Sequence, residues 1–136
     1  MCGGIQYQYK EKTVKTYFPN PNAELPILMK NQSIELIRWG RRKEQQGYLP
    51  QGGWARHESI LQGTWDKYRP VPVKIKVNLF MEKDRDKVSH WFNLEEGQFI
   101  QGLLAYWDNE SRVYVVTVSP PMQHPVHDRW PRLISP

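Results

Sequence analysis

The stretch Val71-Pro-Val-Lys-Ile-Lys-Val-Asn-Leu-Phe-Met-Glu82 is the clearest periodic segment of this chain, and it indicates the class of fold. Every second residue is apolar, so that one face of the segment is apolar. Two lysines lie on the other face, together with Asn78, Phe80 and Glu82. Alternation with a period of two is typical of a β-strand. We therefore predict one strand over residues 71–82, with Glu82 on its polar face.

Similar alternation continues on both sides of this segment. Residues 5–9 predict a first strand, and a strand over residues 25–29 is confined to a sheet edge because Pro26 has no N–H to donate. The other predicted elements are a strand over 33–39, a polar loop over 40–53, one or two helical turns over 57–62, a strand over 89–94 and a hairpin of 98–107 with 112–119. The sequence thus predicts a β-rich α+β domain with little helix.

The composition is typical of one folded domain with a modest core. The chain has 136 residues, of which 39% are apolar and 12% aromatic, and this content is too aromatic for a disordered chain. A single cysteine excludes an internal disulfide and is typical of a reducing compartment. We find no secretion leader and no long apolar run, so we expect a cytoplasmic protein without a membrane span.

The charge balance favours a nucleic-acid partner. The net charge is +5, and the chain also carries six Trp and seven Tyr. Cationic side chains bind phosphates, and aromatic rings stack on unpaired bases. Charge alone leaves an ordinary basic protein as the alternative.

The cysteine is residue 2, directly after Met1 and before two glycines. Removal of Met1 would leave Cys2 with a free α-amine beside its thiol, and the ordinary pKa values of these groups are about 8 and 8.5. Such a pair can condense with one aldehyde, first as an imine and then as a thiazolidine ring. A cysteine placed here by chance at the start site is the alternative interpretation.

Five short motifs follow one another along the chain. They are Met1-Cys2-Gly3, Trp39-Gly40, Ala55-Arg56-His57-Glu58, Phe80-Met81-Glu82 and His127-Asp128-Arg129-Trp130-Pro131. In this order they resemble the SOS response-associated peptidase (SRAP) family, whose members process abasic sites in single-stranded DNA. The resemblance implies a single SRAP-like domain over residues 1–136, with an α+β, mainly β fold built around a curved, largely antiparallel sheet.

The chain departs from the family pattern at two motifs. Trp54 stands where the family has asparagine, and Arg41, Arg42 and Lys43 follow the Trp-Gly pair in place of Leu-Ile-Pro. The sequence also ends five residues after Pro131. We expect a compact variant of the family rather than a truncated one.

The resemblance implies three catalytic residues. Cys2 would capture the ring-opened aldehyde of an abasic deoxyribose as a covalent thiazolidine, and self-removal of the preceding residue is a further expected activity. Dehydration needs a proton donor and ring closure a proton acceptor, and Glu82 would serve as both unless it forms a salt bridge with a nearby cation. His127 would donate a hydrogen bond to the sugar or shuttle a proton, with Asp128 either orienting it or pairing with Arg129.

The resemblance also implies the residues that hold the strand. Arg56 would bind the phosphate beside the lesion through its planar fork, unless it pairs with Glu58. Residue type adds the other expected DNA contacts, which are Trp39 and Trp54, whose rings would stack on bases, and the cationic Arg41, Arg42 and Arg129. Core packing is the alternative for each tryptophan, and a solvated loop is the alternative for the arginine run.

The expected partner is single-stranded DNA containing abasic sites, bound by a monomer that associates with the nucleoid when on DNA. We expect no cofactor and no metal, because one cysteine and four histidines do not make a zinc pattern. Two other functions stay open. A plain binder of single-stranded nucleic acid would leave Cys2 inert, and glutamine amidotransferases of the N-terminal-nucleophile type also begin Met-Cys-Gly.

Overall fold

The computed structural model describes residues 2–120 and 129–135 of the chain. Within these residues the chain forms twelve strands and one short helix. The strands are β1 Gly4–Tyr9, β2 Lys12–Tyr17, β3 Glu24–Leu28, β4 Ile34–Arg38, β5 Trp54–Arg56, β6 Val71–Ile75, β7 Leu79–Lys83, β8 Ser89–Asn93, β9 Phe99–Trp107, β10 Glu110–Val118, β11 Trp130–Pro131 and β12 Leu133–Ile134. The helix α1 is His57–Leu61, and a 3-10 turn follows it at Asp66–Tyr68.

The strands form two sheets. The smaller sheet has the order β2-β1-β7-β8, and all its neighbours are antiparallel. The larger sheet has the order β11-β10-β9-β6-β3-β4, with β12 beside β9 and β5 running parallel to β10. The prediction of a mainly β, α+β fold with curved, largely antiparallel sheets is confirmed.

The larger sheet curls back toward its own far side. At the end of β4, Trp39 forms a bridge with Val113 of β10, and the N–H of Gly40 donates to the Val113 carbonyl at 2.8 Å. This contact carries the loop that follows the Trp-Gly pair toward β5. The Trp39-Gly40 segment and β5 are both brought to β10 in this way.

The prediction of one strand over residues 71–82 is wrong. The segment divides into β6, which belongs to the larger sheet, and β7, which belongs to the smaller one. The N–H of Lys76 donates to the Pro26 carbonyl, whereas the N–H of Asn78 donates to the Gln6 carbonyl. The chain therefore changes sheets between these residues. Alternation along the sequence describes each half correctly but does not say which partner strand each half will find.

The prediction that Pro26 confines its strand to a sheet edge is also wrong. The strand β3 lies between β4 and β6. Pro26 joins the sheet through its carbonyl, which accepts the hydrogen bond from Lys76 at 2.9 Å. An acceptor role needs no N–H, so the proline is tolerated in an interior strand at this position.

The two sheets share a core. Ile5 and Phe80 of the smaller sheet and Leu25 and Ile100 of the larger sheet belong to the same buried cluster. A second cluster lies on the opposite face of β9 and β10. Its buried members are Leu49, Ala55, Trp65, Leu103, Ala105, Tyr114 and Val116. The strand β10 is consequently buried on both faces, and it provides a rigid base for β5 and β11.

In the part of the chain that the structure describes, no helix is long and apolar enough to span a membrane.

Candidate functional site

Cys2 lies immediately before β1 and is fully buried. Its Sγ lies 3.5 Å from the Gly4 carbonyl oxygen, and the N–H of Gly3 donates to the Met81 carbonyl at 3.0 Å. The start of the chain is thus held against β7. Burial, followed by the nearby charge of Glu82, raises the pKa of the Cys2 thiol well above its usual range. The thiol is therefore protonated at neutral pH in this structure.

Glu82 is fully buried in β7. The prediction that it lies on a polar face beside two lysines is wrong, because β6 and β7 belong to different sheets. Phe80, two residues earlier on the same face of β7, stacks against Phe92 with ring centroids 5.4 Å apart and meets Trp130 edge-on at 5.0 Å. The face that carries Phe80 and Glu82 is therefore the core face. Cys2 and Glu82 are close enough to influence each other electrostatically.

Trp54 links β5 to the start of the chain. Its Nε1–H donates to the Cys2 carbonyl at 2.6 Å. The ring is partly buried and packs against Phe18 and Trp39, with centroid distances of 4.7 and 6.3 Å. Trp54 thus supplies a donor that fixes the backbone of Cys2.

Trp39 is fully buried, so it presents no ring face to a ligand in this structure. Its Nε1–H donates to the Gly53 carbonyl at 2.9 Å. The following glycine is required, because Gly40 has a φ of 55° and a Cβ there would lie 2.2 Å from the Gly52 oxygen. Trp39 therefore packs in the core, which was the alternative to stacking on a base.

A groove of about 520 Å³ opens beside this cluster. Its lining includes Gly3, Phe18, Trp54, Met81 and Lys83. We call it the Cys2 groove, although the thiol itself is buried beside it. Phe18 was not predicted as a site residue, because the two prolines that follow it indicate only a turn or loop.

Arg129 is buried and held within the protein. Its Nη1 and Nη2 donate to the Glu58 carboxylate at 2.9 and 3.1 Å, and Nη2 also donates to the Thr117 carbonyl at 2.6 Å. The hydrogen bonds from Arg129 lower the pKa of Glu58 to about 2. Two of the motifs noted in the sequence are therefore joined by a bidentate ion pair, and the Arg129 fork faces a carboxylate of the protein.

Arg56 remains largely exposed. Its Nη2 lies 3.6 Å from a Glu58 oxygen, with about two thirds of the arginine side chain and half of the glutamate side chain accessible. A pair so exposed contributes little to stability. Arg56 is thus available to a ligand, although the internal pair considered as its alternative is also present.

The arginine run is not a freely solvated loop. Arg41 donates to the Leu49 and Gln45 carbonyls at 2.7 and 2.6 Å. Arg42 is 7% exposed, whereas Lys43 is exposed. The first two arginines organise the loop, and the lysine points a charge toward solvent.

The predicted residues His127 and Asp128 lie outside the described ranges. His90 contacts Asp84 at 2.7 Å, and this contact lowers the pKa of that aspartate. Across residues 2–120 and 129–135, no group of three or more His, Cys, Asp or Glu side chains is arranged to hold a metal ion.

Comparison with known protein-family models, with curated proteins and with solved structures finds no match. The structure brings Cys2, Glu82 and Trp54 together beside one groove, and Arg42 donates to the carbonyl of Phe18, which lines that groove. This arrangement combines a cysteine at the start of the chain, a buried carboxyl group and an adjacent basic surface.

Proposed function

We propose that this protein captures abasic sites in single-stranded DNA as a covalent thiazolidine through Cys2, after removal of Met1. The observation that supports the proposal best is the convergence of Cys2 and buried Glu82 beside a groove, with Trp54 holding the Cys2 carbonyl. The groove volume of about 520 Å³ is sufficient for an opened sugar.

The proposed reaction has two bond-forming steps. The α-amine of Cys2 adds to the aldehyde carbon of the opened deoxyribose, and loss of one water gives an imine. The thiol sulfur then adds to the imine carbon, and its proton is transferred to the imine nitrogen, closing the ring. The net reaction joins the aldehyde to the aminothiol with release of one water, and no oxidant or reductant is needed.

Burial of the thiol favours attack by the amine first. The raised pKa keeps sulfur protonated, so it is a poor nucleophile until the imine has formed. Glu82 is the residue whose charge acts on Cys2, and we assign it the proton transfers of dehydration and ring closure. In this proposal Arg56 binds a flanking phosphate and His127 assists at the sugar.

The test is a denaturing gel of the protein with single-stranded DNA that carries one abasic site. We expect a denaturation-resistant adduct with the abasic strand and none with the intact strand. Cys2→Ala should abolish it. Without Met1, both Cys2→Ala and Cys2→Ser keep the α-amine, so each should give an adduct only after borohydride reduction of the imine. An intact mass that lacks Met1 must accompany the result. An equal absence of adduct in processed wild type and Cys2→Ala would refute the proposal.

A second candidate is a non-catalytic binder of single-stranded nucleic acid. The complete burial of Cys2 favours it, because a buried protonated thiol can simply be part of the core. This function predicts salt-sensitive binding that is the same for wild type and Cys2→Ala, with no adduct on abasic DNA. The same two measurements therefore separate the candidates.

A further inference from the structure

Arg42 is a buried guanidinium with an unused donor. Nε donates to the Phe18 carbonyl at 2.5 Å and Nη1 to the Trp39 carbonyl at 2.6 Å. The Phe18 ring covers the group, with its centroid 4.1 Å from Cζ. Nη2 is buried and has no hydrogen-bond partner. Burying a donor without an acceptor destabilises the folded protein, so an incoming acceptor at this atom is favoured.

The charge of Arg42 is also uncompensated. None of the ion pairs among the described residues involves it. Burial and the charges of Arg112 and Arg38 lower the pKa of Arg42 to about 10. Its surroundings therefore disfavour the cation that it carries at neutral pH, and an anion would relieve this cost.

Arg42 lines a second groove of about 480 Å³. Arg41 and Lys43 also line it, together with one acidic side chain, Glu44. Three cationic groups against one carboxylate give the lining a positive balance. We call this the Arg42 groove. It shares Phe18 and Pro19 with the Cys2 groove, so the two grooves adjoin each other across these residues.

We propose that the Arg42 groove binds one backbone phosphate of the strand whose sugar occupies the Cys2 groove. This inference rests on the proposed function, and it specifies where the DNA strand runs beyond the captured sugar. A phosphodiester supplies the acceptor that Nη2 lacks and the negative charge that the lining lacks. Exposed Lys43 adds a second, point-like cation to the same phosphate. The shared wall at Phe18 places the phosphate beside the captured sugar.

The test uses single-stranded DNA with a tetrahydrofuran abasic analogue, which has no aldehyde and cannot be crosslinked. Each phosphate near the analogue is replaced in turn by a neutral methylphosphonate, and the dissociation constant is measured. For wild type we expect two sensitive linkages, one contacted by Arg56 and one by the Arg42 groove, and replacement at the second should weaken binding about tenfold. Arg42→Gln should bind the unmodified strand about tenfold more weakly and be indifferent to replacement at that linkage.

Lys43→Gln provides a variant that leaves the buried guanidinium in place. It should weaken binding about threefold and lower the slope of log affinity against log salt by about 0.7, the value for one single-strand phosphate contact. Lys12→Gln, an exposed charge outside the Arg42 groove lining, is the charge-matched control and should retain the full linkage sensitivity. Melting temperatures establish that each variant is folded.

The inference is overturned if no linkage that is sensitive in wild type loses its sensitivity in Arg42→Gln. Should Arg42→Gln fail to fold, a Lys43→Gln variant that keeps both the wild-type affinity and the wild-type salt slope is sufficient to reject it. The readout does not depend on crosslinking. If no adduct forms but the expected linkage sensitivity is seen, only the proposed chemistry is rejected. If the adduct forms but the linkage sensitivity is missing, only the Arg42 groove is rejected.

Discussion

Two arginines among the described residues are more than 90% buried, and their surroundings differ. Arg129 is 8% exposed and forms a bidentate pair with Glu58, whereas the guanidinium of Arg42, which is 7% exposed, donates to backbone carbonyls. A buried cation with a carboxylate partner connects two parts of the fold. A buried cation without one retains a capacity for an external anion. The comparison separates an arginine paired within the protein from the one that we propose as a binding residue, where the sequence treats them alike.

Removal of Arg129 should have the largest effect on stability. Arg129→Ala breaks charge-assisted hydrogen bonds that connect α1 to the end of β10, so we expect a loss of about 2–3 kcal/mol in the free energy of unfolding. Urea denaturation measures it. Arg42→Gln is the matched comparison and should cost less than half as much, because it also removes a disfavoured buried charge. Equal losses would erase the distinction between the two arginines.

Lowering the pH should weaken the ion pair between Arg129 and Glu58, whereas the contribution of Arg42 to stability should not change. The pKa of Glu58 falls from 4.5 to about 2 on folding, so its ionised form stabilises the folded state above pH 4.5. This contribution should be lost as the pH falls from about 4.5 to about 2. Melting temperatures across this range should decline less steeply in Arg129→Ala than in wild type. Arg42→Gln should follow the wild-type profile, and a flattened profile in that variant would contradict the assignment.

Trp54→Phe should have the smallest effect on stability and a selective effect on the reaction. Phenylalanine keeps a ring against Phe18 but removes the hydrogen bond to the Cys2 carbonyl. One neutral hydrogen bond contributes about 0.5–1.5 kcal/mol, so we expect adduct formation to slow by roughly threefold to tenfold. Binding of the tetrahydrofuran strand should change by less than twofold. A large loss of binding with an unchanged rate would instead make Trp54 a strand contact.

The core and the site differed in how far the sequence could predict them. Period-two alternation correctly predicted the strands that become β1, β4 and β8 and the hairpin of β9 with β10. It failed over residues 71–82, because alternation is a local property and the change of sheet at Asn78 depends on hydrogen bonds to a distant strand. The same failure put Glu82 on the wrong face.

The candidate site shows the same limit. Its chemical groups could be named from residue type and order, since a cysteine at residue 2 and a motif glutamate are visible in the sequence. The hydrogen bond from Trp54 to Cys2 joins residues 52 positions apart. Its geometry depends on β5 pairing with β10 and on Cys2 being held against β7. No spacing within the sequence carries that information.

By itself, the sequence determined the β-rich class, the basic charge and a cysteine directly after Met1, because these follow from composition and local pattern. Only the tertiary structure decided that Arg129 has a carboxylate partner and that Arg42 has none among the described residues. Arg129 meets Glu58 and Arg42 meets Phe18 because strands distant in the sequence bring them together. Charge is a property of the residue, whereas its compensation depends on the neighbours that folding supplies.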